Sequence, residues 1–515
     1  MVVGTEARAQ NVGWKTSGGA ASIGCDKLTI QDAVTTAEAA AGAGDTITIY
    51  PLPIGYVETV TFAHAYTYVL EPGNVTCLAA APGLVTLNPP AGARTVVVDD
   101  IGAVVTVKSV LHDGLGAAGP AYAGLIDVIM GELTLLDGEV RSASASYGGC
   151  IRVQNGVVNL GTPGLLNTDG TKVWDCEAGV TGGGILVGDS IQFNSGVLNV
   201  NADSTVESNG AGIMGGGGVA VGPGCSATVR DRASVFLNTT PGFGGGGVRT
   251  AGTLSVLNEA TVHDNEALCP VPCADPQGGG VWGLLGDVFV QDTARIEHNH
   301  AAIGGGIALS AANLTLTDEV VVSENDALHQ GGGISVQEGA TILVAGTPWV
   351  MPAVGLPTGG VRVEGNVAGL DPVGFWDGGG IWMSGFNPTL GSNLIVAGNS
   401  ATGNGGGLAA VAGTGVATVR LDDSFVSANT ALSGRGLYVE ETGVRLRSVC
   451  PTTTPLSVNR FCTEVAENHA TATGGASAIE VKIRPARSRE AVGSNSVGHP
   501  FGTAATWGLQ SGRRS

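Results

Sequence analysis

Residues 295–336 read RIEHNHAAIGGGIALSAANLTLTDEVVVSENDALHQGGGISV, and this stretch says its message twice. A β-branched residue, two others and an asparagine (Ile296 to Asn299) lead to a glycine triplet and an aliphatic residue (Gly304 to Gly306, then Ile307). The same two marks return as Val322 to Asn325 and Gly331 to Gly333 with Ile334. Between them lie short alternating runs, Leu314-Thr315-Leu316 and Val320-Val321-Val322, that read as strands. A unit of about 27 residues, made of short strands and glycine turns, cannot bury its own apolar face.

The unit recurs outward in both directions. Triplets end at Gly184, Gly218, Gly247, Gly280, Gly306, Gly333, Gly380 and Gly407, with degenerate copies at 434–436 and 474–476. The matching asparagines are Asn209, Asn238, Asn265, Asn299, Asn325, Asn366, Asn399, Asn429 and Asn468. Stacking the copies buries a continuous aliphatic column, which predicts an all-β chain folded as a single parallel β-helix, a solenoid with coils about 4.8 Å apart. An asparagine at one turn of every coil predicts a side-chain amide ladder along the axis. Upstream, Thr29-Ile30-Gln31-Asp32 resembles a capping box. Ile30, Val34, Ala37 and Ala41 share one face, so an amphipathic helix over about 29–41 is expected to cover the open end of the core. The domain organisation follows: a lead-in at 1–24, the β-helix at 25–482, and a tail at 483–515 with five Arg against one Glu that reads as disordered.

Composition narrows the function. The chain has 515 residues, 85 of them glycine, without the three-residue period of collagen. Its 44 acidic against 24 basic residues give a net charge of −20, which argues against nucleic acid or an acidic membrane surface as partner. No apolar run reaches the roughly 18 residues of a membrane-spanning helix. Residues 1–15 lack the apolar stretch of a secretory signal. Nine cysteines are present. Cys269 and Cys273 flank Pro270-Val271-Pro272, and Cys450 and Cys462 bracket a Pro/Thr-rich loop, so both pairs read as disulfide staples of an exported protein.

The segment TIQDAVTTAEAAAGAGDTITIYPLPIGYVETVTF, residues 29–62, looks like the capping helix and first coil of the pectin-lyase-like superfamily. The paired glycine-triplet and asparagine elements resemble the repeats of chlamydial-type polymorphic outer membrane proteins. The resemblance implies a right-handed parallel β-helix with an N-terminal amphipathic capping helix, secreted or held at the outer-membrane surface and acting in adhesion. Because the superfamily also contains polysaccharide lyases and glycoside hydrolases, catalysis is the alternative. Asn167-Thr168-Asp169-Gly170 with Gly188-Asp189-Ser190 resembles the polygalacturonase motifs, yet the second acidic pair is broken by Ser190 and no Gly-His-Gly follows. Asn167 also precedes Gly182–Gly184 as a repeat asparagine would.

The carboxylates recur as well. Asp203, Asp231, Glu259, Asp292, Asp318, Glu319, Asp422 and Asp423 all lie six or seven residues before a repeat asparagine. Recurrence at one slot marks a turn position rather than a catalytic pair. Stacked carboxylates raise calcium as a ligand, but the calcium-binding nonapeptide is absent and no cofactor is expected. One row is a better candidate for ligand binding. The residue after each post-triplet aliphatic should point outward. That row reads Leu186, Ala220, Arg249, Trp282, Ala308, Ser335, Trp382, Ala409 and Tyr438. Arg249, Trp282, Trp382 and Tyr438 are expected to form an exposed surface for a glycan or a cell-surface protein.

Overall fold

The computed structural model describes residues 11–440 except 115–123, 165–169, 189–193, 269–275, 338, 351–357, 372–373, 386–388 and 412–417. Beyond 440 it describes four strands, 443–447, 464–466, 469–470 and 479–482. The candidate cysteines 269, 273, 450 and 462, the tail 483–515, and Asn167, Asp169, Asp189 and Asn468 lie outside the described residues.

The chain forms a parallel β-solenoid of about 12 turns. One coil shows the plan. Val281–Leu284 and Asp287–Val290 belong to a 24-stranded sheet, Arg295–Glu297 to a 14-stranded sheet and His300–Ala301 to an 11-stranded sheet. The next coil repeats them in register, with Val281 on Ile307, Val288 on Leu314, Ile296 on Val322 and Ala301 on Ala327, all parallel. The first residue after each triplet points inward: Val281, Ile307, Ile334, Ile381 and Leu408 are fully buried in one core cluster. At the start, Val12–Thr16 pairs antiparallel with Thr46–Pro51. The helix Ile30–Ala40 follows Thr29, whose hydroxyl accepts from the Asp32 N–H at 3.0 Å. Its Ile30, Ala33, Val34 and Ala37 join the same core, and the Glu58 carboxylate accepts from the Ile30 and Gln31 N–H groups at 2.9 and 3.0 Å.

Eight asparagines, Asn209 to Asn429, form one buried run. From Asn238 onward each Oδ1 accepts both the backbone N–H and the Nδ2 of the asparagine one coil earlier, at 2.9–3.1 Å. Each Nδ2 also donates to a strand carbonyl of an earlier coil, as Asn325 does to Ile296 at 2.9 Å. The residue just before the asparagine turns the chain with positive φ: 56° at His298 and 54° at Glu324. A single left-handed residue therefore makes each corner.

The third glycine of each triplet has a specific partner. A Cβ on Gly306 would sit 2.9 Å from the Asn325 Cγ, and a Cβ on Gly280 would meet Asn299 in the same way. Glycine and asparagine therefore recur together because they pack on each other across neighbouring coils. The coils at 150 and 176 fill the same two slots with cysteine. Cys150 takes the position of Gly184, its N–H bonding to Gly184 O at 3.1 Å, and Cys176 donates its N–H to Asn209 Oδ1. The two form a disulfide. This corrects the reading of Asn167 as the asparagine of its coil: Cys176 holds that slot, and a covalent rung replaces the amide. A second disulfide, Cys25–Cys77, ties the lead into the helix to the loop at 77. Cys225 is free and buried.

Candidate functional site

The outward row exists in the predicted register. Arg249 pairs with Ala220 on one side and Trp282 on the other, Trp282 with Ala308, Ser335 with Trp382, and Ala409 with both Trp382 and Tyr438. The row is covered rather than open. Arg249 is 4% exposed, Trp282 8% and Tyr438 2%, while Trp382 is half-buried. The first glycine of each triplet packs the preceding turn close against the row. Gly304 and Gly378, with φ of 64° and 70°, fold the turn back over the residue four positions on. A Cβ on Gly304 would lie 2.8 Å from the Ala308 Cβ, and one on Gly378 2.6 Å from the Trp382 Cβ. Alternation told which way the side chains point; it carried no information about the turn that closes over them.

Two of the four residues come together. The Arg249 guanidinium lies 5.6 Å from the Trp282 ring centroid, within cation–π range. Trp382 and Tyr438 are two rungs apart with Ala409 between them, and the Tyr438 hydroxyl donates to Glu440 at 2.9 Å. Burial pushes the Arg249 pKa down from its ordinary value. In the insertion after 341, Trp349 packs with Ile395, Ala397 and Phe425 in a separate cluster and donates to the Asp423 carbonyl at 2.6 Å.

The recurring carboxylates do turn work. Asp231, Asp292 and Asp318 adopt φ near 60°, and each reaches one coil back. Asp231 accepts the Ala202 N–H at 3.3 Å, Asp292 the Asn258 N–H at 3.0 Å, and Asp318 the Asp292 N–H at 3.4 Å. Hydrogen bonds from Gly164, Ala202 and Asn258, with Arg230 nearby, outweigh partial burial and hold the Asp231 carboxyl below its usual range. Asp203 instead pairs with Arg232, and Asp422 with Arg420. Surface histidines are paired too: His263 with Asp264 and His298 with Glu324, both at 2.7 Å. Among the described residues no group of three or more His, Cys, Asp or Glu converges on a metal position, and no helix is long and apolar enough to cross a membrane.

Sequence reasoning missed both disulfides. A signal for one was present: Gly148-Gly149-Cys150 is a glycine triplet with cysteine in the third slot. No family model, curated protein or solved structure matches the chain.

Proposed function

We propose that this chain is a secreted or cell-surface β-helix repeat protein that acts in adhesion or surface display and binds a glycan or surface partner without turning it over. One observation carries the reading: along the coils, polar side-chain chemistry is spent on stacking. The amides form the ladder, Asp231, Asp292 and Asp318 close turns, and the exposed ion pairs join neighbouring residues or neighbouring coils. What remains is a long, acidic, stapled column suited to presenting a surface. The two disulfides favour an oxidising compartment and hence an extracellular or outer-membrane setting. The paired glycine and asparagine slots support kinship with the pectin-lyase-like superfamily and with polymorphic outer-membrane repeats. The test is an array of immobilised glycans and cell-surface proteins, run beside assays for unsaturated and reducing sugar. Retention without product is expected. Turnover lost on Asp169→Asn or Asp189→Asn would transfer the chain to the enzymes.

A further inference from the structure

The row contains a charge that no described carboxylate answers. Arg249 is 96% buried, its exposure being 4%, and its Nε finds no acceptor. Among the described residues no carboxylate pairs with it: its neighbours along the row are Ala220 and Trp282, and the Trp282 ring lies within cation–π range. The indole Nε1 of Trp282 is likewise enclosed without an acceptor. Gln277, which begins the turn five residues before Trp282, has an enclosed Oε1 that receives no donor. A guanidinium stays protonated in proteins, so the chain holds an unneutralised cation in a covered position. Burying a charge without a partner is costly, and folding alone gives no reason to keep one here. Its surroundings are also unusual: the turn leading into Arg249 is Gly244–Gly247, four glycines in a row, and it packs on the Arg249 backbone without a side chain of its own. Gly245 approaches closely enough that a Cβ there would stand 2.9 Å from the Arg249 Cα.

We propose that Arg249 and Trp282 form an oxyanion-binding site that takes a carboxylate or sulfate group. The guanidinium supplies charge and the unpartnered Nε donor, and the indole Nε1 of the neighbouring rung is a second unpartnered donor. The site rests on the display reading only for the source of the oxyanion, which is either a free ion or a saccharide that bears it. The argument for the site itself is the unpartnered Arg249 Nε and Trp282 Nε1, independent of that reading.

The full chain with its disulfides intact is titrated with sodium acetate, sodium sulfate and sodium glucuronate. Sodium chloride at equal ionic strength is the reference, and thermal melting and indole fluorescence are the readouts. An oxyanion raises the melting temperature of the wild type above the chloride reference. Arg249→Gln weakens that binding roughly tenfold or more, the scale of a hydrogen-bonded charge, and Trp282→Phe weakens it several-fold while removing the fluorescence response. Without oxyanions, Arg249→Gln melts close to wild type, because the charge it removes faces only the Trp282 ring and no carboxylate among the described residues. A strong loss of melting temperature in that buffer would show an internal partner and overturn the proposal. Should Arg249→Gln not fold, the proposal fails on that count, and Trp282→Phe measures anion binding independently. Equal responses in wild type and Trp282→Phe, or none to any oxyanion, also refute it. Binding of acetate and sulfate as tightly as glucuronate identifies a free-ion site; preference for glucuronate identifies the saccharide. A chain that adheres to the glycan or protein array yet ignores every oxyanion would sink this inference and leave the display reading standing.

Discussion

Asn325→Leu is the sharpest perturbation of the ladder. Asn325 is fully buried, and Leu has a similar branched outline, so packing against Gly306 changes little. What changes is hydrogen bonding. The Asn325 Oδ1 is the acceptor for both the Asn299 N–H and the Asn299 Nδ2, each at 3.0 Å. The Asn299 Nδ2 keeps its bonds to the Val262 and Glu297 carbonyls, but its backbone N–H is left without an acceptor. On the other side, Asn366 Oδ1 loses one donor and keeps the Asn325 N–H at 3.0 Å, and the Ile296 carbonyl loses the Asn325 Nδ2 at 2.9 Å. One stranded buried N–H costs about 1–3 kcal/mol, and the bonds lost without stranding add roughly 1 kcal/mol, so the expected loss is roughly 2–4 kcal/mol. Solenoids unravel locally, so a global melt is a blunt probe of one coil. Denaturant titration is therefore paired with hydrogen exchange at the Asn299 amide, which should accelerate far more than amides several coils away. Asn313→Leu, at an exposed asparagine, is the control and should stay within about 0.5 kcal/mol. Unchanged exchange at Asn299 in the Asn325→Leu protein would refute the reasoning.

Gly306→Ala places a methyl 2.7 Å from the Gly333 carbonyl oxygen and 2.9 Å from the Asn325 amide, so differential scanning calorimetry should show a loss of about 2 kcal/mol or more. Breaking Cys150–Cys176, a loop of 26 residues, with paired alanines should cost about 3–4 kcal/mol in denaturant titration. Cys150→Gly with Cys176→Asn should lose less, because it rebuilds the rung as glycine and amide. His112 is fully buried with Nδ1 on the Thr95 hydroxyl, and burial lowers its pKa from 6.5 to about 3. Below pH 6.5 the unfolded chain takes a proton that the native chain refuses until about pH 3, so this contribution is full above 6.5 and falls with pH across that window. Compared with His112→Asn, the wild type should lose about 2 kcal/mol more between pH 7 and pH 5; parallel pH–stability curves would show that the imidazole is not held neutral.

The sequence disclosed the coil because its signal is periodic. Val281, Ile307 and Ile334 had to point inward, and the structure has them fully buried on neighbouring rungs. It also disclosed that Arg249 and Trp282 are neighbours, since register follows from counting between triplets. It did not disclose their burial. Burial depends on how the backbone and neighbouring coils pack around the row, including the positive-φ glycine turn that lies close against it, and alternation does not encode that. Cys150 and Cys176 escaped for a different reason. Cysteine shares neither the smallness of glycine nor the amide of asparagine, so their equivalence with the Gly–Asn slots appears only when the two slots are seen in contact. The recurring aspartates were legible as turn residues because one slot used many times cannot be a single active site.

That slot equivalence is the central claim: the third glycine of one coil faces the asparagine of the next, as Cys150 faces Cys176. A protein carrying Gly306→Cys and Asn325→Cys tests it directly. After oxidative refolding, peptide mapping by mass spectrometry should find the 306–325 crosslink in most molecules, formed without a catalyst. The pairing of Gly306→Cys with Asn366→Cys, one coil out of register, should give none, because Asn366 packs against Gly333. Crosslinking at 306–366, or free thiols at both 306 and 325, would contradict the stacked register on which the whole account stands.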